Sequence, residues 1–265
     1  MKSVDWSAPW LALLADPGCA ISSSSDWRSA LNQAASEARL CNFRGQRLTF
    51  CEAEAAADEP YEACIARTGR VPTRGNLHDF FNALVFLRFP RAKAQLNRLQ
   101  SSAIARDGVR ATRGPVRDAA TLIDENAVLL ITHRADLVQA LRRHDWLALF
   151  VRQRASWHHE INALAFGHAL LEKLVSPYKS ITAHALHIPL VADSSRAEVD
   201  RCAAALLDDD LSPKHLMPLP VLGIPGWCAQ NEDPSFYADT MVFRPDTRMR
   251  RQRSVEKQSN ETRRT

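Results

Sequence analysis

The chain has 265 residues, of which 46% are hydrophobic and 24% are charged, a composition that lets a globular protein bury a sizeable core. Its net charge of +4 is uneven, because the segment from Thr247 to the end carries +5 and the remainder carries −1. A near-neutral body argues against a nucleic-acid-binding fold built on a broad basic surface. We expect one globular domain over residues 1–246 and a disordered basic tail over residues 247–265.

The six cysteines include no C-x-x-C pair, so neither a zinc ribbon nor a thioredoxin-type centre is indicated and the thiols are expected to be reduced. No apolar run approaches the roughly 20 residues that cross a bilayer, and none resembles the core of a signal peptide. A cytoplasmic protein without membrane insertion is therefore predicted. Solubility is the favoured role of the basic tail, and contact with an acidic partner or RNA is the alternative.

The first half of the chain alternates helical and turn signals. The pattern predicts a helix that Asp26 caps, a short strand over residues 48–51 and a helix from Tyr61 to about Gly69. A very apolar helix follows from Leu77, and its hydrophobicity on all sides predicts a buried, central position. Pro90 ends that helix and opens the next one.

The second half mixes strand and helix signals. Residues 120–131 contain two β-prone runs around a polar centre, which predicts a hairpin. Helices are expected over residues 135–144, from about residue 145, and over residues 159–175. Residues 181–188 and 241–243 are expected to be strands, and Ser195 with Glu198 has the spacing of a capping box. The predicted fold class is α+β, predominantly helical with a small antiparallel sheet or hairpin.

The first candidate site lies at the start of the apolar helix. His78 and Asp79 are three or four positions from Asn82, so all three side chains are neighbours at one helix end. Polar groups that border a core need partners, and an imidazole beside a carboxylate suits metal binding or proton transfer. The structural alternative is that Asn76 caps the helix and Asp79 interacts with its dipole.

A second candidate pairs His168 with Glu172, one helical turn apart, with His184 as a further ligand. An ordinary surface pair explains this spacing equally well. A third candidate is Arg113 with Arg117, because a guanidinium group matches a carboxylate or a phosphate. Trp227 lies in a proline-rich segment, where it either lines a cleft or packs against the core, and packing is favoured.

Five stretches together resemble a bacterial family described only as a domain of unknown function, number 3025. They are residues 71–84, 89–91, 124–126, 166–173 and 220–227. The resemblance covers about residues 61–245, with departures at Cys228 and Ala127, where the family favours tryptophan and glycine. The family implies no mechanism, but its strings contain the polar candidates, which favours a shared pocket.

Two functional hypotheses follow from these residues. The first is a metal-assisted or acid/base hydrolase in which His78, Asp79, His168 and Glu172 surround a water molecule, with a divalent metal as cofactor. His78, Asp79, His168 and His184 are the candidate metal ligands, while Asn82, Arg113, Arg117 and Trp227 are the candidate binding residues. The second hypothesis is a non-catalytic binding or assembly protein whose basic tail reaches an acidic partner.

Overall fold

A computed structural model describes residues 4–56, 59–108 and 114–245 of the chain. It is an α+β structure in which helices predominate, with one parallel pair of strands and one mixed sheet of four strands. Arg113 and the basic tail lie outside the described residues. None of the helices in the described part combines the length and the hydropathy of a membrane-spanning segment.

The α-helices of the described residues are α1 (Ala15–Ser22), α2 (Trp27–Glu37), α3 (Tyr61–Thr68), α4 (Leu77–Arg88), α5 (Pro90–Asp107), α6 (Pro115–Asn126), α7 (Ala135–Arg142), α8 (His168–Lys173) and α9 (Arg196–Leu206). The strands are β1 (Thr49–Cys51), β2 (Arg70–Pro72), β3 (Ala127–Ile131), β4 (Asn162–Ala165), β5 (Thr182–Ile188) and β6 (Met217–Pro220). Strands β1 and β2 pair in parallel, and the larger sheet has the order β4-β3-β5-β6.

Strand β3 is the centre of the larger sheet. It pairs antiparallel with β4 and parallel with β5, and β5 continues antiparallel to β6. All five of its residues are completely buried, because both neighbouring strands and the packed helices cover it. The larger sheet is therefore mixed, where a small antiparallel sheet was expected.

Helix α4 has the central position that its composition predicts. Every residue from Asp79 to Phe86 is buried, and its strongest helix contacts are with α8. The side chain of Asn76 accepts a hydrogen bond from the backbone N–H of Asp79 at 2.8 Å, so the expected N-cap is confirmed. Pro90 opens α5 directly after the end of α4, as the sequence indicated.

The hairpin expected over residues 120–131 is wrong. Its first half is the end of α6, where Ala119, Ala120 and Ile123 are buried at helical spacing, and its second half is β3. Helix and strand follow each other without a turn. Periodicity cannot distinguish a short apolar strand from a buried helical segment, which is why the pattern was misleading.

Two further expectations fail. The helix predicted over residues 159–175 is divided into β4 and α8, with Gly167 between them. Residues 241–243 form a turn and a bend and not a strand. By contrast, the helix capped by Asp26, the strand near residues 181–188 and the capping box at Ser195 are all confirmed.

Candidate functional site

The N-terminus of α8 lies against the junction between α6 and β3. The backbone N–H groups of Phe166 and Gly167 both donate to the carbonyl of Ala127, at 3.0 and 2.9 Å. A Cβ atom on Gly167 would come within 2.4 Å of the backbone nitrogen of Asn126. The absence of a side chain at Gly167 therefore allows the close approach that brings His168 next to Glu125.

Three side chains from three helices converge at this junction. His78 lies in the first turn of α4, Glu125 lies in the last turn of α6, and His168 is the first residue of α8. The Nε2 atoms of His78 and His168 are 3.0 Å apart. Glu125 Oε2 is 3.3 Å from His168 Nε2 and 3.9 Å from His78 Nε2. We refer to His78, Glu125 and His168 as the triad.

The triad has the dimensions of a metal site. A point equidistant from three atoms with these separations lies about 2.0 Å from each, which matches the Zn–N and Zn–O distances of about 2.0 to 2.2 Å. Two imidazole nitrogens and one carboxylate oxygen are the donors that Zn²⁺, Fe²⁺ and similar divalent ions take in proteins. The three atoms lie within 4.8 Å of one another, so one ion can contact all of them.

One side of the triad is open. The side chain of His168 is 5% exposed, whereas those of His78 and Glu125 are 29% and 41% exposed. An ion held by these three side chains would keep at least one coordination position for a further ligand.

Each imidazole of the triad has a carboxylate near its other nitrogen, but only one of these contacts is a hydrogen bond. Glu172 Oε2 is 3.0 Å from His78 Nδ1, whereas Asp124 Oδ2 is 3.9 Å from His168 Nδ1. A hydrogen bond of the kind that His78 makes holds metal-bound histidines in proteins, because the outer carboxylate fixes the tautomer and the orientation of the ring. Glu172 therefore acts on His78, and the spacing that suggested a pair with His168 is not the contact that forms.

Burial keeps His168 neutral. Desolvation lowers the pKa of His168 to about 4, although the nearby Asp124 acts in the opposite direction. The neutral imidazole is the form that binds a metal ion, so His168 is ready for coordination at neutral pH without losing a proton. Desolvation and the charge of Asp124 raise the pKa of Glu125, an effect that a bound cation would reverse.

A buried polar network lies behind the triad. Lys93 contacts the carboxylate of Asp124 and donates to Asn82 Oδ1 at 2.8 Å, and Asn82 in turn donates to the Tyr61 hydroxyl at 2.8 Å. Burial alone would raise the pKa of Asp124, but the charge and hydrogen bond of Lys93 counteract it and this pKa lies below its usual value. Asn82, predicted as a binding residue, contributes to this network.

The remaining predicted residues lie outside the triad. Both carboxylate oxygens of Asp79 contact the guanidinium group of Arg74, at 3.0 and 3.1 Å. His184 is on β5, where its Nδ1 is 3.3 Å from the side-chain amide of Asn126. Arg117 is half-buried on α6, and Trp227 is buried against Trp10 with ring centroids 5.9 Å apart. Packing, the favoured role of Trp227, agrees with this position.

Glu125 is the residue of the triad that sequence reasoning missed. The hairpin prediction placed it in a turn, where its side chain had no defined neighbour. The sequence did contain a signal for this site. Asp124 and Glu125 are two adjacent acidic residues at the end of an otherwise apolar stretch of α6. Asp124 is buried although it is charged, which requires a partner in the core.

A model of the family described as "Protein of unknown function (DUF3025)" matches residues 48–248 of the chain. The chain belongs to this family. The resemblance noted in the sequence is thus confirmed, and the DUF3025 match begins earlier than expected, at β1. It includes all three triad residues together with Asp124 and Glu172. Comparison with curated proteins and with solved structures gave no match.

Proposed function

We propose that this protein is a divalent-metal-dependent hydrolase whose metal ion is held by His78, Glu125 and His168. The observation that supports the proposal is the common distance of about 2.0 Å from one point to the three ligand atoms, which is a metal–ligand distance. A bound divalent ion lowers the pKa of a coordinated water molecule and provides a nucleophile at neutral pH. The hydrolase hypothesis from the sequence is retained, with Glu125 in the place of Asp79.

The contact between Glu172 and His78 supports the same role. With the Nδ1 proton of His78 directed at Glu172, its Nε2 lone pair faces the metal position. Glu125 would hold the ion through Oε2, and its second oxygen could accept a proton from a nearby water molecule. The ion would supply Lewis-acid polarisation of a carbonyl or phosphoryl oxygen that approaches from the exposed side of the triad.

Two histidines with one carboxylate also form the metal site of non-haem iron oxygenases. Exposure favours hydrolysis, since His78 and Glu125 are 29% and 41% exposed and bulk water reaches them. Hydrolysis consumes that water, whereas oxidised iron intermediates need a site from which water is excluded. Metal content and oxygen consumption are therefore included in the test.

The test begins with the chelator-treated full chain, titrated with Co²⁺, whose visible spectrum reports the coordination of the ion. We expect a Kd in the micromolar range or tighter for the wild type. His78→Gln, Glu125→Gln and His168→Gln should each weaken binding at least 100-fold, because each removes one of three ligands. His184→Gln is the matched control: this imidazole is also half-buried near α6 but lies outside the triad.

Activity is measured with the Zn²⁺-, Co²⁺- and Mn²⁺-loaded protein on aryl esters, phosphomonoesters and phosphodiesters. Turnover that requires the ion and disappears in Glu125→Gln supports the proposal. Oxygen consumption by the Fe²⁺-loaded protein without hydrolysis would replace it by the oxygenase function. A wild type with a Kd above about 1 mM, or with an affinity that His78→Gln does not change, would show that the triad is no metal site.

A further inference from the structure

We propose that Asp124 is a positioning residue of the metal centre and that Lys93 holds it in place as a buried ion pair. Asp124 directs the Nδ1 proton of His168 and thereby leaves Nε2 free to bind the ion. This inference rests on the proposed function, because it assigns a role in the same site. It adds that metal binding depends on the Lys93–Asp124 pair as well as on the three ligands.

The Nδ1 atom of His168 is buried and has no partner with full hydrogen-bond geometry among the described residues. The backbone of Asp124 also interacts with this ring, and it stays in place when the carboxylate is replaced by an amide. The nearest carboxylate oxygen is Oδ2 of Asp124, at 3.9 Å, which is too long for a hydrogen bond. A buried N–H at that distance from a carboxylate is stabilised, and a lone pair in the same place is repelled, since the interior screens charge poorly.

The tautomer of His168 decides whether the triad can bind metal. A proton on Nε2 would point at His78 or Glu125, which lie 3.0 and 3.3 Å away, and would block coordination. A proton on Nδ1 leaves the Nε2 lone pair directed into the triad. In the metal-free protein Glu125, 3.3 Å from Nε2, favours the first tautomer, and Asp124 opposes it by favouring the second. The charge of Asp124 therefore lowers the cost of freeing Nε2 without any contact with the ion.

Lys93 stabilises the charged form of the buried Asp124. Its side chain is 3% exposed, and its ammonium group contacts Asp124 and lies 4.4 Å from the centre of the Phe86 ring. The hydrogen bond to Asn82 fixes the position of this ammonium group, and Tyr61 fixes Asn82. A buried ion pair of this kind is expensive to form, and its stabilisation could be replaced by apolar side chains. Stability therefore does not explain why the Lys93–Asp124 pair is present. Its position next to His168, a proposed metal ligand, does.

The experiment compares Asp124→Asn with a matched control, Asp200→Asn. Asp200 is 2% exposed and accepts hydrogen bonds from the backbone of Arg91 and Ala92 at 3.1 and 2.9 Å, so it is a buried aspartate with a purely structural contact to α5. Both variants are titrated with Co²⁺. We expect a 10- to 100-fold loss of affinity for Asp124→Asn and less than a threefold change for Asp200→Asn.

Nitrogen-15 NMR of the metal-free protein measures the tautomer directly. Relative to the wild type, Asp124→Asn should move the population of the His168 proton from Nδ1 toward Nε2. The double variant Lys93→Met with Asp124→Asn removes both charges together, so that no unpaired buried ion remains. It should retain cooperative unfolding and show the same loss of Co²⁺ affinity.

Three results would overturn the inference. They are an unchanged His168 tautomer in Asp124→Asn, a change in Co²⁺ affinity below threefold, and an equal loss in the Asp200→Asn control. A wild type that does not bind Co²⁺ at all would refute the proposed function instead. The tautomer measurement still decides the role of Asp124 in that case, because it is made without metal.

Discussion

Gly167 offers the sharpest test of how the fold builds the triad. Its backbone angles, φ −62° and ψ 124°, are accessible to alanine, so Gly167→Ala introduces no backbone strain. The added Cβ would lie 2.4 to 2.5 Å from three backbone atoms of Glu125, Asn126 and Ala127. Carbon atoms and their neighbours pack at about 3.5 Å, so the start of α8 must retreat by about 1 Å.

A displacement of about 1 Å would separate the triad atoms too far for one ion to contact all three. The distance from His168 Nε2 to Glu125 Oε2 would grow from 3.3 Å to as much as ~4.3 Å, whereas two ligands at about 2.1 Å from one ion are at most ~4.2 Å apart. We expect Gly167→Ala to weaken Co²⁺ binding at least 100-fold. Overpacking at a buried junction should also cost about 1 to 3 kcal/mol of unfolding free energy.

The assay combines a Co²⁺ titration with urea denaturation at neutral pH. The control is Gly75→Ala, just before α4, where an added Cβ meets no atom within 4 Å. This control should bind Co²⁺ as the wild type does. If Gly167→Ala also kept wild-type affinity, the close approach of α8 to α6 would not be what positions His168, and the geometric reasoning would fail.

Three other variants test the surroundings of the site. Burial, with the charge of Asp124, raises the pKa of Glu62 from 4.5 to about 7, so the folded state loses stability as the pH rises between these values. Glu62→Gln should therefore stabilise the protein by up to about 3 kcal/mol at pH 8 and by little at pH 4.5, and equal urea midpoint shifts at both pH values would contradict this assignment. Asp79→Asn should lower stability by about 1 to 3 kcal/mol through the weakened Arg74 contact and leave Co²⁺ affinity within threefold, whereas a 100-fold loss would return Asp79 to the metal ligands. Trp227→Ala should cost about 3 to 5 kcal/mol without changing Co²⁺ binding, and an impaired titration with normal stability would indicate a binding role.

Several features of the fold depend on local interactions and were predicted correctly from the sequence. Caps such as Asn76 and Asp26 act on the backbone a few positions away, and Pro90 breaks a helix wherever the chain goes next, so these features are visible in the sequence. The apolar composition of α4 likewise required burial, whatever the identity of its neighbours. The fold class followed from such signals, and they also made His78 a candidate site residue.

The junction between α6 and β3 could not be predicted from local sequence patterns. A helix that runs into a strand without a turn has no sequence punctuation, and only pairing with β4 and β5 makes residues 127–131 a strand. The same pairing places the end of α6 beside Gly167. Because the helix end was not recognised, Glu125 was not predicted as a ligand.

The sequence by itself determined that His78 and His168 are polar side chains at the starts of apolar segments. It also placed Glu172 one turn after His168. Only the tertiary structure decided that Glu172 contacts His78, that Glu125 completes the triad, and that Lys93 with Asp124 lies behind it. The reason is physical: the three donor atoms share one point about 2 Å away only because packing brings together helices that begin or end about 45 to 90 residues apart in the chain.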